Sequence, residues 1–127
     1  MSNFVLENKL KEIDIITDKI ILNINNKYKT LKNNIIDSNY KLLYYLYYTN
    51  TLERSKRIYI QRKMLIEVKL LDYYYYKLYT YKEISKDKYI SISKKYITIT
   101  KLIYGWIKSE SRVKWYRRCL FKDKKIY

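Results

Sequence analysis

The sequence predicts an all-α protein, an antiparallel up-down-up-down four-helix bundle with a basic C-terminal extension. The 127 residues include no Pro and a single Gly, so turns are few and the elements between them are long. A β-sandwich or barrel needs many punctuated turns, which this composition does not supply. Apolar residues also recur in alternating steps of three and four, the spacing of one side of a helix. At this length we expect one domain, with the bundle over residues 1–109 and a tail or helix extension over residues 110–127.

Three helices are predicted before residue 85, over residues 4–25, 31–50 and 53–82. The apolar side of the first helix is Leu6, Leu10, Ile13, Ile16, Ile20 and Ile24. The polar patch Asp37-Ser38-Asn39 interrupts the second, whose apolar residues are Leu31, Ile35, Leu42, Leu43 and Leu46. The apolar side of the third is Ile60, Met64, Val68, Leu71, Tyr75 and Leu78. The run Tyr73–Tyr76 covers every side of one helical turn, so at least one of its rings must face solvent or a partner.

The fourth helix is predicted over residues 85–109. Its apolar side is Tyr89, Ile92, Tyr96, Ile99, Ile103 and Trp106. Two segments, residues 90–93 and 97–100, alternate apolar and polar residues and would also suit strands. We favour the helix, because the 3-4 spacing continues through five steps and Lys94-Lys95 breaks the alternation. Ser85 is the expected N-cap, and Asp87 lies in the first turn, where the helix dipole favours an anion.

The only Gly of the chain, Gly105, has two interpretations. It either lies inside the fourth helix, where a neighbouring backbone packs closely beside Trp106, or it ends the helix in a left-handed cap. We prefer the first, because Trp106, Ile107 and Lys108 continue the helical pattern. Gly105 and Trp106 are therefore predicted to be packing residues.

The net charge of +16 is distributed unevenly along the chain. Residues 1–40 carry 6 Lys and 5 acids, a net charge of +1, whereas residues 41–127 carry 22 basic residues and 7 acids, a net charge of +15. Such a field favours a polyanionic partner, which would be nucleic acid in preference to an anionic membrane. The alternative is a solvated surface whose charge serves only solubility.

Several kinds of chemistry are disfavoured by composition. The chain has no His, which is the commonest general base and a frequent metal ligand, and its one Cys is Cys119. The acidic residues of the first two helices are scattered. We therefore expect a protein that is not an enzyme and has no catalytic residue, metal site or cofactor. No signal peptide and no membrane-spanning apolar run are visible, and the cytoplasm is the default location.

The candidate nucleic-acid contacts are basic residues that lie off the apolar sides of the last two helices, together with those of the tail. Phosphate contacts of this kind give salt-dependent affinity without base specificity. Most aromatic residues are expected in the core, with Trp115 and Tyr116 as exceptions beside Arg117-Arg118. The candidates are Arg54, Lys56, Arg57, Arg62, Lys63, Lys94, Lys95, Lys101, Lys108, Arg112, Lys114, Arg117 and Arg118.

The order of motifs in residues 50–109 resembles a known family. A basic cluster, Arg54-Ser55-Lys56-Arg57, opens the third helix, the connection Glu83–Tyr89 follows, and the fourth helix closes in Tyr104-Gly105-Trp106-Ile107-Lys108. This arrangement resembles the accessory variability determinant (Avd) proteins of diversity-generating retroelements. Residues 1–50 match that family only by their helix pattern.

The resemblance implies a basic, non-catalytic four-helix bundle that assembles as a homo-oligomer, a pentameric barrel. It implies binding to a reverse transcriptase and to template RNA, or to an RNA/DNA hybrid, in support of mutagenic cDNA synthesis. Two alternatives remain open. One is a small bundle of the kind encoded in ribosomal RNA intervening sequences, which would bind rRNA. The other is a protein-interaction bundle without any role in RNA binding.

Overall fold

The computed structural model of the chain describes the backbone of residues 3–125 and the side chains of residues 4–110. Within this part the chain is a four-helix bundle without strands, as predicted. The helices are α1 (Asn3–Ile21), α2 (Lys29–Asn50), α3 (Arg54–Thr80) and α4 (Lys86–Lys125), with a short 3₁₀ helix at Asn26–Tyr28. Each helix packs against the next, and α4 closes the bundle against α1. The connections are short, so neighbouring helices are antiparallel.

The predicted apolar sides form the core. Buried side chains from all four helices make one continuous cluster, which includes Leu10, Leu42, Leu71 and Ile103. Trp106 belongs to this cluster with 4% of its surface exposed, which confirms its predicted packing role. The chain is helical from Lys86 through Ser109, so the strand alternative is wrong.

The ends of the helices follow local polar chemistry. Ser85 is the predicted cap of α4, and its Oγ accepts a hydrogen bond from the backbone N–H of Lys88 at 3.1 Å. The first helix ends at Ile21, four residues before its predicted end, because the side chain of Asn25 accepts from the N–H of Lys27 and starts the 3₁₀ turn. Lys82, two residues beyond the end of α3, has a φ of 63°, a left-handed conformation in which Gly would be less strained.

Two predicted details of the packing are wrong. The inner position of α1 belongs to Thr17, which is fully buried, and Ile16 is only half-buried. Gly105 lies inside α4, as preferred, but it is exposed, and a Cβ atom added to it would meet no atom of the described residues within 4 Å. Close approach of a backbone segment within the described part therefore does not explain this glycine.

The fourth helix also continues beyond its predicted end. It includes residues 110–125, 16 residues that were expected to form a tail or a helix extension. At 1.5 Å per residue, these residues add about 24 Å to the length of the helix. The side chains of the candidates Arg112, Lys114, Arg117 and Arg118, and those of Trp115 and Tyr116, lie outside the described part.

A polar network occupies the centre of the bundle, with one side chain from each helix. The hydroxyls of Thr17 and Tyr75 share a hydrogen bond of 2.6 Å, and Asn39 Nδ2 donates to Thr17 Oγ1 at 3.0 Å. The hydroxyl of Tyr96 donates to Asn39 Oδ1 at 2.8 Å. Asn39 Nδ2 also donates to the carbonyl of Ile35 at 3.2 Å, so both of its hydrogens are used. Two residues of the polar patch that interrupted the pattern of α2, Ser38 and Asn39, are therefore part of the core, whereas Asp37 is exposed.

Candidate functional site

The solvent-facing sides of α3 and α4 carry apolar and basic residues in alternation. On α3 this series, which we name the outer α3 stripe, is Tyr59, Arg62, Ile66, Lys69 and Tyr73. On α4 the corresponding series, the outer α4 stripe, is Ile90, Lys94, Ile97, Lys101, Tyr104 and Lys108. Both follow steps of three and four, so each lies along one side of its helix, opposite the core.

Six of the candidate cations lie free on this surface. They are exposed, and their side chains make no ion pair or hydrogen bond with any described residue. Such groups keep their full charge available for a partner, because no carboxylate of the described chain neutralises them at close range. The six are Arg54, Lys56, Arg62, Lys94, Lys101 and Lys108.

The other three candidates with described side chains are engaged within the bundle to different degrees. Lys63 is half-buried, and its Nζ lies 4.8 Å from the ring centroid of Tyr59. Lys95 Nζ lies 3.5 Å from Glu12 Oε1 of α1, a loose contact between two partly exposed groups. Both ammonium groups keep access to solvent.

Arg57 differs from the rest, because its guanidinium joins α3 to α4. Its Nε donates to the carbonyl of Leu52 at 2.8 Å, and its Nη1 donates to Glu110 at 2.7 Å. Gln61 Nε2 donates to the other oxygen of Glu110, also at 2.7 Å. These contacts are partly buried, so the side chain of Arg57 positions the two helices and is not free to bind a partner.

The acids of α3 are turned away from the outer faces. Glu67 is buried and accepts from the hydroxyl of Ser38 at 2.6 Å, on the side of α3 that faces α2. Asp72 accepts from the hydroxyl of Ser93 at 2.6 Å, on the side that faces α4. Together with the inward-facing Glu110, this arrangement leaves the outer α3 stripe without a carboxylate, whereas on α4 the exposed Asp87 lies one turn before Ile90. The positive field along the outer α3 stripe is therefore stronger than the net charge of that helix suggests.

Open grooves of mixed charge lie between α4 and α1, since Glu12 and Asp87 line one of them and Glu83 lines the other. Two grooves between these helices have volumes of about 450 Å³ and 600 Å³, and Ser91 and Lys95 line both of them. Lys9 and Lys94 line the smaller one, whereas Lys19 and Lys88 line the larger. The sequence analysis did not select Lys9 or Lys19, because residues 1–40 have a net charge of only +1, and it did not select Lys88 on α4.

Some ionisable groups elsewhere in the described chain have pKa shifts that follow from burial. Among the described residues, no group of three or more metal-ligating side chains is present. Burial raises the pKa of Tyr75 to about 12, and burial also raises the pKa of Tyr96, but both hydroxyls are used inside the core network. Burial, with a smaller effect of Asp18, raises the pKa of Asp14 on α1. In the part of the chain with described positions, no helix is both long and apolar enough to span a membrane.

Comparison with known proteins supports the fold. No protein-family model and no curated protein matches this chain. Among solved structures, the chain is similar to a protein of unknown function from the S23 ribosomal protein family of Bacteroides thetaiotaomicron VPI-5482. The two share 21% identity with a TM-score of 0.76, over 85% of this chain and 99% of the other. At this identity the likeness establishes that the two chains share a helical bundle fold.

Proposed function

We propose that this protein is a non-catalytic RNA-binding accessory subunit of a reverse transcriptase, of the kind that supports mutagenic cDNA synthesis in diversity-generating retroelements. RNA phosphates would lie along the outer faces of α3 and α4. The observation that carries the proposal is the separation of charge, in which exposed cations face outward while Glu67, Asp72 and Glu110 face neighbouring helices. A surface whose charge served solubility alone would have no need to turn its acids inward.

The polymerase and a homo-oligomer, in the form of a pentameric ring, are the partners that the resemblance implies. We propose that copies meet at one end of the outer α4 stripe, around Gly105 and the 58% exposed ring of Tyr104, whereas Lys94 and the exposed Ile97 nearer the start of α4 remain open to RNA. A glycine that no atom of the described residues requires is explained if a neighbouring copy packs against it.

A second candidate function has one observation in its favour. The similar solved structure belongs to a family named for a ribosomal protein, which favours the small bundles that would bind ribosomal RNA. This function uses the same basic faces and requires no polymerase. Sequencing of the RNA that copurifies with the protein from its own cells separates the two. Retroelement RNA would support the accessory subunit, whereas enrichment of ribosomal RNA would support the second candidate.

The first experiment measures RNA affinity by fluorescence anisotropy across a salt series, with light scattering on the same sample. The variant Lys94→Glu/Lys101→Glu reverses two free cations on α4. We expect it to weaken binding more than tenfold and to reduce the slope of log affinity against log salt by about 1.4, the value for two lost single-strand phosphate contacts. The matched control is Lys29→Glu/Lys41→Glu, which makes the same change of charge on exposed positions of α2.

The control is expected to lose much less affinity than the α4 variant. Equal losses in the two variants would mean that RNA responds only to net charge, which contradicts an interface on α3 and α4. A wild-type protein that does not bind RNA near physiological salt would overturn the proposed function. Light scattering that shows a monomer at all concentrations would refute the homo-oligomer that forms part of the proposal.

A further inference from the structure

The outer α3 stripe exposes aromatic rings where a solvent-facing helix ordinarily carries polar side chains. Tyr59 is 64% exposed and Tyr73 is 53% exposed, with Ile66 at 62% between them. Neither ring packs into the core, and neither hydroxyl makes a hydrogen bond with any described residue. These side chains therefore contribute little to the stability of the bundle, and their exposure needs another explanation.

Each of the two rings has a lysine beside it, four residues further along the helix. Lys63 Nζ lies 4.8 Å from the ring centroid of Tyr59, and Lys77 Nζ lies 5.7 Å from that of Tyr73. An exposed ring with a cation over one face matches the two parts of a nucleotide, because a base can stack on the other face while the phosphate meets the ammonium. The stripe adds Arg62 and Lys69 between the rings.

The surroundings of this stripe favour an anionic ligand. The two acids within α3 are directed to Ser38 on α2 and to Ser93 on α4, so no described carboxylate of α3 lies on the stripe. An acidic partner helix would match the charges of the stripe but not its rings. A neutral apolar helix would match the rings but not the charges. A nucleic acid with unpaired bases matches both at once.

The comparison with α4 identifies which stripe suits bases. Both stripes alternate apolar and basic residues, but the first two apolar positions on α4 are Ile90 and Ile97, which have no ring on which to stack. On α3 the rings are 14 residues apart, which corresponds to about 21 Å along the helix. Two separate bases of one strand can reach rings this far apart, whereas a single nucleotide is too short to contact both.

We propose that the outer α3 stripe binds unpaired nucleotides of the RNA, with separate bases stacked on Tyr59 and Tyr73 and the intervening phosphates on Arg62 and Lys69. This inference rests on the proposed function and specifies the form of its ligand. Bases in a duplex stack on each other and are unavailable to the rings, so the stripe selects single-stranded segments or loops.

The test compares two pairs of substitutions in the full chain. Tyr59→Leu/Tyr73→Leu removes the rings and keeps apolar side chains, whereas Tyr59→Phe/Tyr73→Phe keeps the rings and removes the hydroxyls. The probes are a labelled 15-nucleotide RNA without self-complementarity and a 15-base-pair RNA duplex. We expect the Leu variant to bind the single strand about tenfold more weakly for each ring, and the Phe variant to bind as the wild type does. The salt slope should stay unchanged, because no phosphate contact is lost.

The outcomes separate this inference from the proposed function. If the wild type binds RNA and the Leu variant binds the single strand equally well, the stacking surface is refuted and the proposed function stands. Preference of the wild type for the duplex would also refute it. Failure of the wild type to bind either probe would overturn the proposed function itself. A Leu variant that keeps its RNA affinity but changes its oligomeric state would assign the stripe to a contact between copies.

Discussion

At the centre of the bundle four polar side chains are buried, whereas on the outer faces of α3 and α4 apolar side chains are exposed. The central group, Thr17, Asn39, Tyr75 and Tyr96, comes from four different helices and is joined by hydrogen bonds within the chain. The outer apolar groups, such as Ile66, have no comparable partners among the described residues. Both regions depart from the ordinary distribution, in which polar side chains are exposed and apolar side chains are buried. The buried polar groups are compensated by hydrogen bonds within the chain, whereas the exposed apolar groups would be compensated only by a partner.

The difference shows how each departure acts. A buried polar group is tolerated when its hydrogen bonds are made, and such bonds are directional, so they select one register of the four helices. An exposed apolar group costs little while the protein is alone and gains free energy only when something covers it. The central hydrogen bonds therefore specify the fold. The exposed apolar groups on the outer faces instead mark surfaces that a partner could cover.

The largest effect is expected at the centre. The side chain of Leu has nearly the same branched shape as that of Asn. Asn39→Leu therefore places a similar side chain in the core but leaves the hydroxyls of Tyr96 and Thr17 without their amide partner. We expect the free energy of unfolding, measured in urea, to fall by about 3 kcal/mol, because buried polar groups lose their hydrogen bonds.

A combined variant provides the control for this prediction. Asn39→Leu with Thr17→Val, Tyr75→Phe and Tyr96→Phe removes the whole network and leaves no buried hydroxyl unpaired. It should recover much of the loss, since replacing all partners by apolar groups of similar shape costs little. If Asn39→Leu alone costs less than about 1 kcal/mol, the network does not stabilise this register.

A smaller effect is expected in alkaline solution. Burial raises the pKa of Tyr75 to about 12, whereas an unfolded tyrosine ionises near pH 10. The unfolded state thus releases this proton first, and the contribution of Tyr75 is complete below pH 10 and is lost as the pH rises to 12. We expect a loss of about 2 kcal/mol over this range, measured by urea unfolding at successive pH values. Tyr75→Phe should show a shallower decline, and an equal decline would assign the effect to other groups.

The smallest effect has the opposite sign and concerns the outer face of α4. Gly105→Ala should raise the free energy of unfolding of the isolated chain by about 1 kcal/mol, because Ala favours a helix and the new Cβ meets no atom of the described residues. Light scattering on the same variant should show weaker association if copies pack around Gly105. A variant that is less stable than the wild type at low concentration would contradict the open surroundings of Gly105.

Much of the fold could be predicted from the sequence, because it depends on local periodicity. The four helices, the cap at Ser85 and the buried position of Trp106 follow from spacing and from the chemistry of helix ends. The inner position of Thr17 could not be predicted, since its partners lie 22 and 58 residues away on other helices. Spacing alone favoured Ile16, whose side chain is more apolar but has no place in the network.

The charged residues of the candidate site could be predicted from the sequence, whereas the contacts and directions of their side chains could not. Six of the selected cations are free, and the same 3-4 count applied to the opposite side of α3 would have revealed Tyr59, Ile66 and Tyr73. The engagement of Arg57 with Glu110 joins residues 53 positions apart, and no local pattern signals it. The inward direction of the acids likewise becomes visible only when the helices are paired.

The central network also has a consequence for how sequences of this kind diverge. Because Asn39 satisfies Thr17 and Tyr96 at the same time, a change at one of these positions lowers stability until a second change compensates for it. The four central positions should therefore be inherited as a group, either retained together or replaced together by apolar residues. The hydroxyls of Tyr59 and Tyr73 make no hydrogen bonds inside the described chain, so only selection by a ligand would preserve these residues. Their retention or loss among related sequences would therefore follow the presence of that ligand.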